Sequence, residues 1–90
     1  MKKILIIGSN SFAGSDFIDF LLNKNFKVFG VSRRNEIESY HLRYKQNKKL
    51  KNFKFYKINL NSKKNINKLI KIIKNNNISY VVNFAAQGMV

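Results

Sequence analysis

The feature that most constrains this chain is the stretch at residues 8–14, Gly-Ser-Asn-Ser-Phe-Ala-Gly, and what stands on either side of it. Before it runs Lys2-Lys3-Ile4-Leu5-Ile6-Ile7, a short continuous apolar segment that suits a strand buried on both faces, as in a parallel sheet. After it, from Asp16, the spacing predicts a helix with Phe17, Ile18, Leu21 and Leu22 on one face. Asp16 and Asp19 are expected in its first turns, where the helix dipole favours negative charge, and Asn23-Lys24-Asn25 is expected to end it. Buried strand, glycine turn, amphipathic helix is the order that phosphate binding requires. Gly8 allows a tight turn, unpaired N–H groups at the helix start can hold phosphate oxygens, and Gly14 lets helix and strand pack closely. The same residues also allow a plain strand-to-helix turn that binds nothing.

Three further strands are expected at residues 26–32, 53–59 and 78–84. Ser62 is a plausible N-cap for a helix at about 64–75, in which Ile66, Leu69, Ile70 and Ile73 share a face and Lys64, Lys68, Lys71 and Lys74 point outward. Residues 33–52 suggest no more than a short helix around 36–44. Two strand–helix–strand units call for right-handed crossovers. The expected fold is therefore α/β: a partial Rossmann-like doubly wound parallel sheet of four strands, order 3-2-1-4, with helices on both faces. Its ligand would sit at the carboxyl ends of the strands, where the strand order reverses.

Ninety residues make one small domain. With 44% hydrophobic residues the chain is globular in composition, despite a net charge of +14. No apolar run is long enough to cross a membrane, and the signal-like start is too short and lacks a small-residue cleavage site. The absence of cysteine excludes disulfides and thiolate zinc sites and makes a cytoplasmic setting the default. Residues 45–74 hold eleven lysines and no acid. That could be a phosphate-backbone footprint, so a small basic nucleic-acid-binding module stands as the rival class. Against it, only three of the eighteen cations are Arg, and no zinc-finger, RRM or KH signature is present. Lys, Asn and Ile supply 40 of the 90 residues, the signature of AT-rich codon usage, so a solvated basic face accounts for the charge more simply.

Gly8-x-x-Ser11-x-x-Gly14 directly after the first strand resembles the Gly-x-x-Gly-x-x-Gly of the short-chain dehydrogenase/reductase superfamily. Ser11-Phe12-Ala13-Gly14 stands where the extended branch carries Gly-Phe-Ile-Gly. Gly14-Ser15-x-Phe17-x-x-Phe20-Leu21-Leu22 and Val31-Ser32-Arg33-Arg34 resemble the GDP-mannose 4,6-dehydratase group of NAD(P)-dependent epimerases and dehydratases. Asn59-Leu60 falls where the family has Asp-Leu, and Ala85-Ala86-Gln87 resembles the segment closing strand 4 in sugar-nucleotide dehydratases. The resemblance runs along essentially the whole chain in order. It implies cofactor contacts at Gly8, Ser11, Phe12, Ala13, Gly14, Ser32, Arg33, Arg34, Asn59, Leu60, Ala85, Ala86 and Gln87.

The chain departs from the pattern at three places. Ser11 replaces the middle glycine, bringing a hydroxyl that could itself bond a phosphate oxygen. Asn59 replaces an acid near the adenine amino group, and its side-chain carbonyl can still accept from that amine. Gly88-Met89 stands where relatives often have Ser-His. At the end of the second strand an NAD site wants a carboxylate; Ser32-Arg33-Arg34 instead suits the 2′-phosphate of NADP, with NAD the lesser candidate. The bland alternative is a pair of exposed loop cations.

Catalysis in the superfamily uses Tyr-x-x-x-Lys, the Lys lowering the Tyr pKa. Tyr44-Lys45-Gln46-Asn47-Lys48 has that spacing but precedes strand 3, whereas the family's pair follows strand 5. With 15 Lys in the chain such a hit is expected by accident, so no catalytic residue is assigned. His41 reads as a lone loop histidine, and no metal site is expected. Residues 1–90 are thus expected to be the N-terminal part of the Rossmann domain of a nucleotide-sugar 4,6-dehydratase, a 4-epimerase or reductase being the alternatives. The resemblance implies a nucleotide-sugar substrate and a homo-oligomer for the complete parent. The 90 residues alone are expected to be inactive and weakly stable, because the apolar strand 80–84 would lie at a sheet edge.

Overall fold

The computed structural model describes residues 1–35 and 42–84. Four strands, β1 (Lys3–Ile7), β2 (Lys27–Ser32), β3 (Phe53–Lys57) and β4 (Tyr80–Asn83), form one parallel sheet in the order β3-β2-β1-β4. Two helices, α1 (Phe12–Asn23) and α2 (Lys63–Asn75), link β1 to β2 and β3 to β4. In register, Leu5 lies between Phe29 and Val81, and Ile7 between Val31 and Asn83. The expected fold class and strand order are what the chain adopts.

Period-two alternation along the central strand explains why both faces are covered. Ile4 and Ile6 point to one side, where Ile18, Leu21 and Leu22 of α1 join Val28, Leu42 and Tyr44. Leu5 points to the other, where Leu69, Ile72 and Ile73 of α2 meet Phe29, Val31 and Ile58. Both αβ joints turn at an asparagine in the left-handed region, Asn25 after α1 and Asn77 after α2, a conformation Asn tolerates better than most residues.

The element ends differ from the sequence expectation in ways that matter for the site. Helix α1 starts at Phe12, four residues before Asp16, because Ser11 caps it: its hydroxyl accepts from Gly14 N–H at 2.9 Å. Phe12 and Ala13 are exposed and so carry no apolar period. Asp16 and Asp19 therefore lie beyond the first turn, where the dipole matters little. They anchor the incoming chain instead: Arg43 Nε lies 3.2 Å from Asp16 Oδ1, and Asn47 Nδ2 donates to Asp19 Oδ1 at 2.8 Å.

Ser62 caps α2 as expected, accepting from Asn65 N–H at 3.2 Å. Lys63, Lys64, Lys68, Lys71 and Lys74 are all exposed along it. The strands are shorter than the apolar runs that announce them, although single bonds such as Ile58 N–H to Ser32 O and Phe84 N–H to Ile7 O carry the ladders past their ends. Of the short helix expected around 36–44, residues 36–41 lie outside the described residues, and Arg43–Gln46 form a 3₁₀ turn. Tyr80 and Val81 are about half exposed on β4, which pairs only with β1 among the described residues.

Candidate dinucleotide site

The turn after β1 owes its shape to Gly8 and Gly14. Gly8 has φ +84°, where a Cβ would be strained. Its N–H and that of Ser9 both donate to Val31 O, at 2.8 and 3.2 Å, so the turn leans over the end of β2. Its carbonyl accepts from Ser11 N–H at 3.1 Å and from Ser11 Oγ at 2.8 Å. A Cβ on Gly14 would lie far inside contact distance of that carbonyl and 2.8 Å from Ser11 Oγ. Gly14 thus lets the first turn of α1 close onto the end of β1.

The donor proton and one lone pair of the Ser11 hydroxyl are used inside this turn, donating to Gly8 O and accepting from Gly14 N–H. The proton that could have reached a phosphate oxygen goes to the protein. What faces outward is backbone: the N–H groups of Phe12 and Ala13, first and second residues of α1, have no protein acceptor among the described residues. Helix N-termini of this kind attract anions through aligned donors and the dipole.

A cleft of about 620 Å³ opens beside the turn, over the carboxyl ends of β1, β2 and β3. Seven expected residues line it: Gly8, Ser11, Ser32, Arg33, Arg34, Asn59 and Leu60. Phe12 and Ala13 stand exposed at the helix start and Gly14 is buried beneath; none of the three is on the cleft wall. Ala85, Ala86 and Gln87, with Gly88, Met89 and His41, lie outside the described residues.

Arg33 and Arg34 are exposed at the end of β2, and among the described residues the lining contains neither an acid nor a lysine. Asn59 Oδ1 accepts from Asn61 N–H at 3.2 Å, and Asn59 O from Asn65 Nδ2 at 2.6 Å, which fastens this corner to the start of α2. One lone pair of the Asn59 side-chain carbonyl is thereby engaged and the other left over. Tyr44 is fully buried and packs on Phe53 with ring centroids 4.5 Å apart, away from the cleft. Among the described residues no group of His, Cys, Asp and Glu could hold a metal ion.

Sequence reasoning missed Asn10, Asn61 and the apolar floor of Ile7, Val31, Ile58 and Phe84. The floor was legible in principle, since each of its members lies at or next to the carboxyl end of a strand. Asn10 carried no signal, because Asn in a turn is ordinary.

A parallel 3-2-1-4 sheet with a glycine turn between β1 and α1 and a cleft at its carboxyl edge has the fold of the NAD(P)-dependent short-chain dehydrogenase/reductase superfamily. The family model described as GDP-mannose 4,6 dehydratase matches residues 5–90, and the chain belongs to that family. Among solved structures it is similar to ElxO with NADP bound, at 23% identity and a TM-score of 0.77 over 98% of this chain and 36% of that one. A short-chain dehydrogenase from Leptospira borgpetersenii with bound NAD+ gives 20% identity and a TM-score of 0.74 over 98% of this chain and 32% of the other. UDP-glucose 4-epimerase from Thermotoga maritima with UDP-glucose gives 24% and 0.68 over 96% of this chain and 25% of the other. The chain therefore spans about a quarter to a third of the length of these structures. No protein of curated function matches it. Among the described residues no helix is long and apolar enough to cross a membrane.

Proposed function

We propose that this chain is the NADP-binding part of a nucleotide-sugar 4,6-dehydratase. The observation that carries the reading is one opening flanked by two anion-seeking groups. Among the described residues the N–H groups of Phe12 and Ala13, next to Ser11 of the wall, have no protein acceptor, Arg33 and Arg34 lie at the end of β2, and the wall carries no carboxylate. The donor set fits a dinucleotide: backbone amides for the pyrophosphate, guanidinium groups for a 2′-phosphate, and the remaining lone pair of Asn59 for the adenine amine. Ala85, Ala86 and Gln87 follow β4 in sequence and are assigned to the same cofactor on the family resemblance. When bound, NADP would supply hydride acceptance and return, which a 4,6-dehydratase uses to oxidise C4, eliminate water across C5–C6 and reduce C6.

Within this chain the residues bind and orient. Ser11 holds the turn closed, Gly14 admits the helix, and Ile7, Val31 and Ile58 keep the floor apolar. The Tyr44…Lys48 spacing has no part in catalysis, since Tyr44 belongs to the core. The reading therefore includes no turnover by residues 1–90 alone. It also includes a cytoplasmic, homo-oligomeric parent acting on a nucleotide sugar. A nucleic-acid role finds less support, because among the described residues the cleft wall has no lysine and the lysines of α2 lie exposed along that helix.

Calorimetric titration of the chain with NADP+ and NAD+ tests the cofactor half of the reading, with NADP+ binding about tenfold or more tightly as expected for a charge-assisted contact. No binding, or tighter NAD+, would overturn it. Product analysis of a longer form with GDP-mannose and dTDP-glucose tests the reaction; a 4-epimer or a reduced sugar would replace the dehydratase with the corresponding relative.

A further inference from the structure

We infer that Asn10 is a positioning residue for 2′-phosphate recognition, tying the arginine-bearing segment after β2 to the glycine turn after β1. Its side-chain amide donates from Nδ2 to Arg34 O at 3.1 Å and to Asn35 O at 2.9 Å, bridging 24 and 25 residues of sequence. Two converging carbonyls accept only from an NH₂ group, so the chemistry itself fixes the amide's orientation. Its other end, Oδ1, is then buried without a hydrogen-bond partner among the described residues. Leaving an acceptor so placed is unfavourable, and the pair of hydrogen bonds to the loop is what it is exchanged for.

The same loop is held from its other side. Arg34 N–H lies 3.4 Å from Ser32 Oγ, so side chains engage both the amide and the carbonyl of Arg34 while its guanidinium stays exposed. A fixed backbone root lowers the ordering cost that a long, mobile cation meets when it closes on an anion. Asn10 also lines the cleft next to Gly8 and Ser11. Through it, the turn that faces the pyrophosphate sets where the 2′-phosphate cation begins. Serine at position 10 would be too short to span two carbonyls, and aspartate would oppose them with acceptors alone.

The inference rests on the NADP reading, and its test separates the two. Dissociation constants for NADP+ and NAD+ are measured by calorimetry on the wild-type chain, Asn10→Ala, Asn10→Ser, Arg34→Ala and the Asn10→Ala/Arg34→Ala double variant. The expected result is that both Asn10 variants lose about fivefold in NADP+ affinity, the equivalent of one typical hydrogen bond, with NAD+ affinity unchanged. Removing Asn10 on top of Arg34→Ala should weaken NADP+ binding by less than removing Asn10 alone, because the tether would have only Arg33 left to position. Wild-type preference retained in both Asn10 variants, equal loss toward both nucleotides (as from simple misfolding), or an additive double variant would each overturn the positioning role while leaving the NADP reading intact. A wild-type chain without preference for NADP+ overturns the reading itself, and the inference with it.

Discussion

Replacing Gly14 with alanine should unfold this protein at lower temperature, although glycine-to-alanine changes inside helices ordinarily stabilise. The helix-propensity gain is about 0.5–1 kcal/mol. Against it stands the contact with β1. The new methyl would press on the backbone carbonyl of Gly8, which cannot swing aside, and would sit 2.8 Å from Ser11 Oγ. Reaching ordinary contact with that oxygen alone requires the first turn of α1 to retreat by about 0.6 Å, which stretches the 2.9 Å cap between Gly14 N–H and Ser11 Oγ to the limit of a hydrogen bond. Overpacking costs about 1–3 kcal/mol and a lost cap about 1 kcal/mol. The net is a destabilisation of about 1–3 kcal/mol, or a fall in Tm of roughly 5–20 °C for a chain of this size. Thermal unfolding followed by far-UV circular dichroism measures it. A Gly14→Ala variant as stable as the parent, or more so, would refute the claim that this glycine exists for close approach.

Ser11→Ala should cost about 1 kcal/mol by urea unfolding, whereas Ser11→Gly should cost only a few tenths, because glycine is a tolerable N-cap and the family carries it there. Arg33→Ala combined with Arg34→Ala should weaken NADP+ about tenfold or more and leave NAD+ unchanged in a calorimetric titration; equal loss toward both would deny the pair its 2′-phosphate role. Tyr44→Ala should cost about 3–5 kcal/mol as a core truncation, enough to abolish the cooperative transition. A catalytic Tyr44 would behave the other way, losing turnover in a longer form while the fold survived.

The fold was legible because the apolar runs at residues 4–7 and 28–31 suit strands covered on both faces, the run at 80–84 suits a strand at the sheet edge, and the two helices between the strands carry clear stripes. The turn was legible from Gly8 and Gly14 because each glycine answers a distinct geometric need. The start of α1 was not. Phe12 and Ala13 point to solvent, so the apolar period begins only at Phe17, and the cap at Ser11 was masked by the family comparison that reads this position as a missing glycine. The Asp16 and Asp19 carboxylates looked like dipole partners and turned out to hold Arg43 and Asn47, whose proximity no local pattern announces. Asn10 escaped for the same reason: its partners lie 24 and 25 residues away. Long-range polar contacts leave no periodicity in a sequence.

The central claim is that the opening between the α1 N-terminus and the end of β2 takes a nicotinamide dinucleotide. Amide nuclear magnetic resonance of the isotopically labelled chain, titrated with NADP+, tests it most directly. The account predicts saturable shifts concentrated at Gly8, Phe12, Ala13, Arg34 and Asn59, with the α2 amides of Lys64, Lys68 and Lys71 unmoved. Shifts confined to the α2 lysines, or none at millimolar nucleotide, would contradict it.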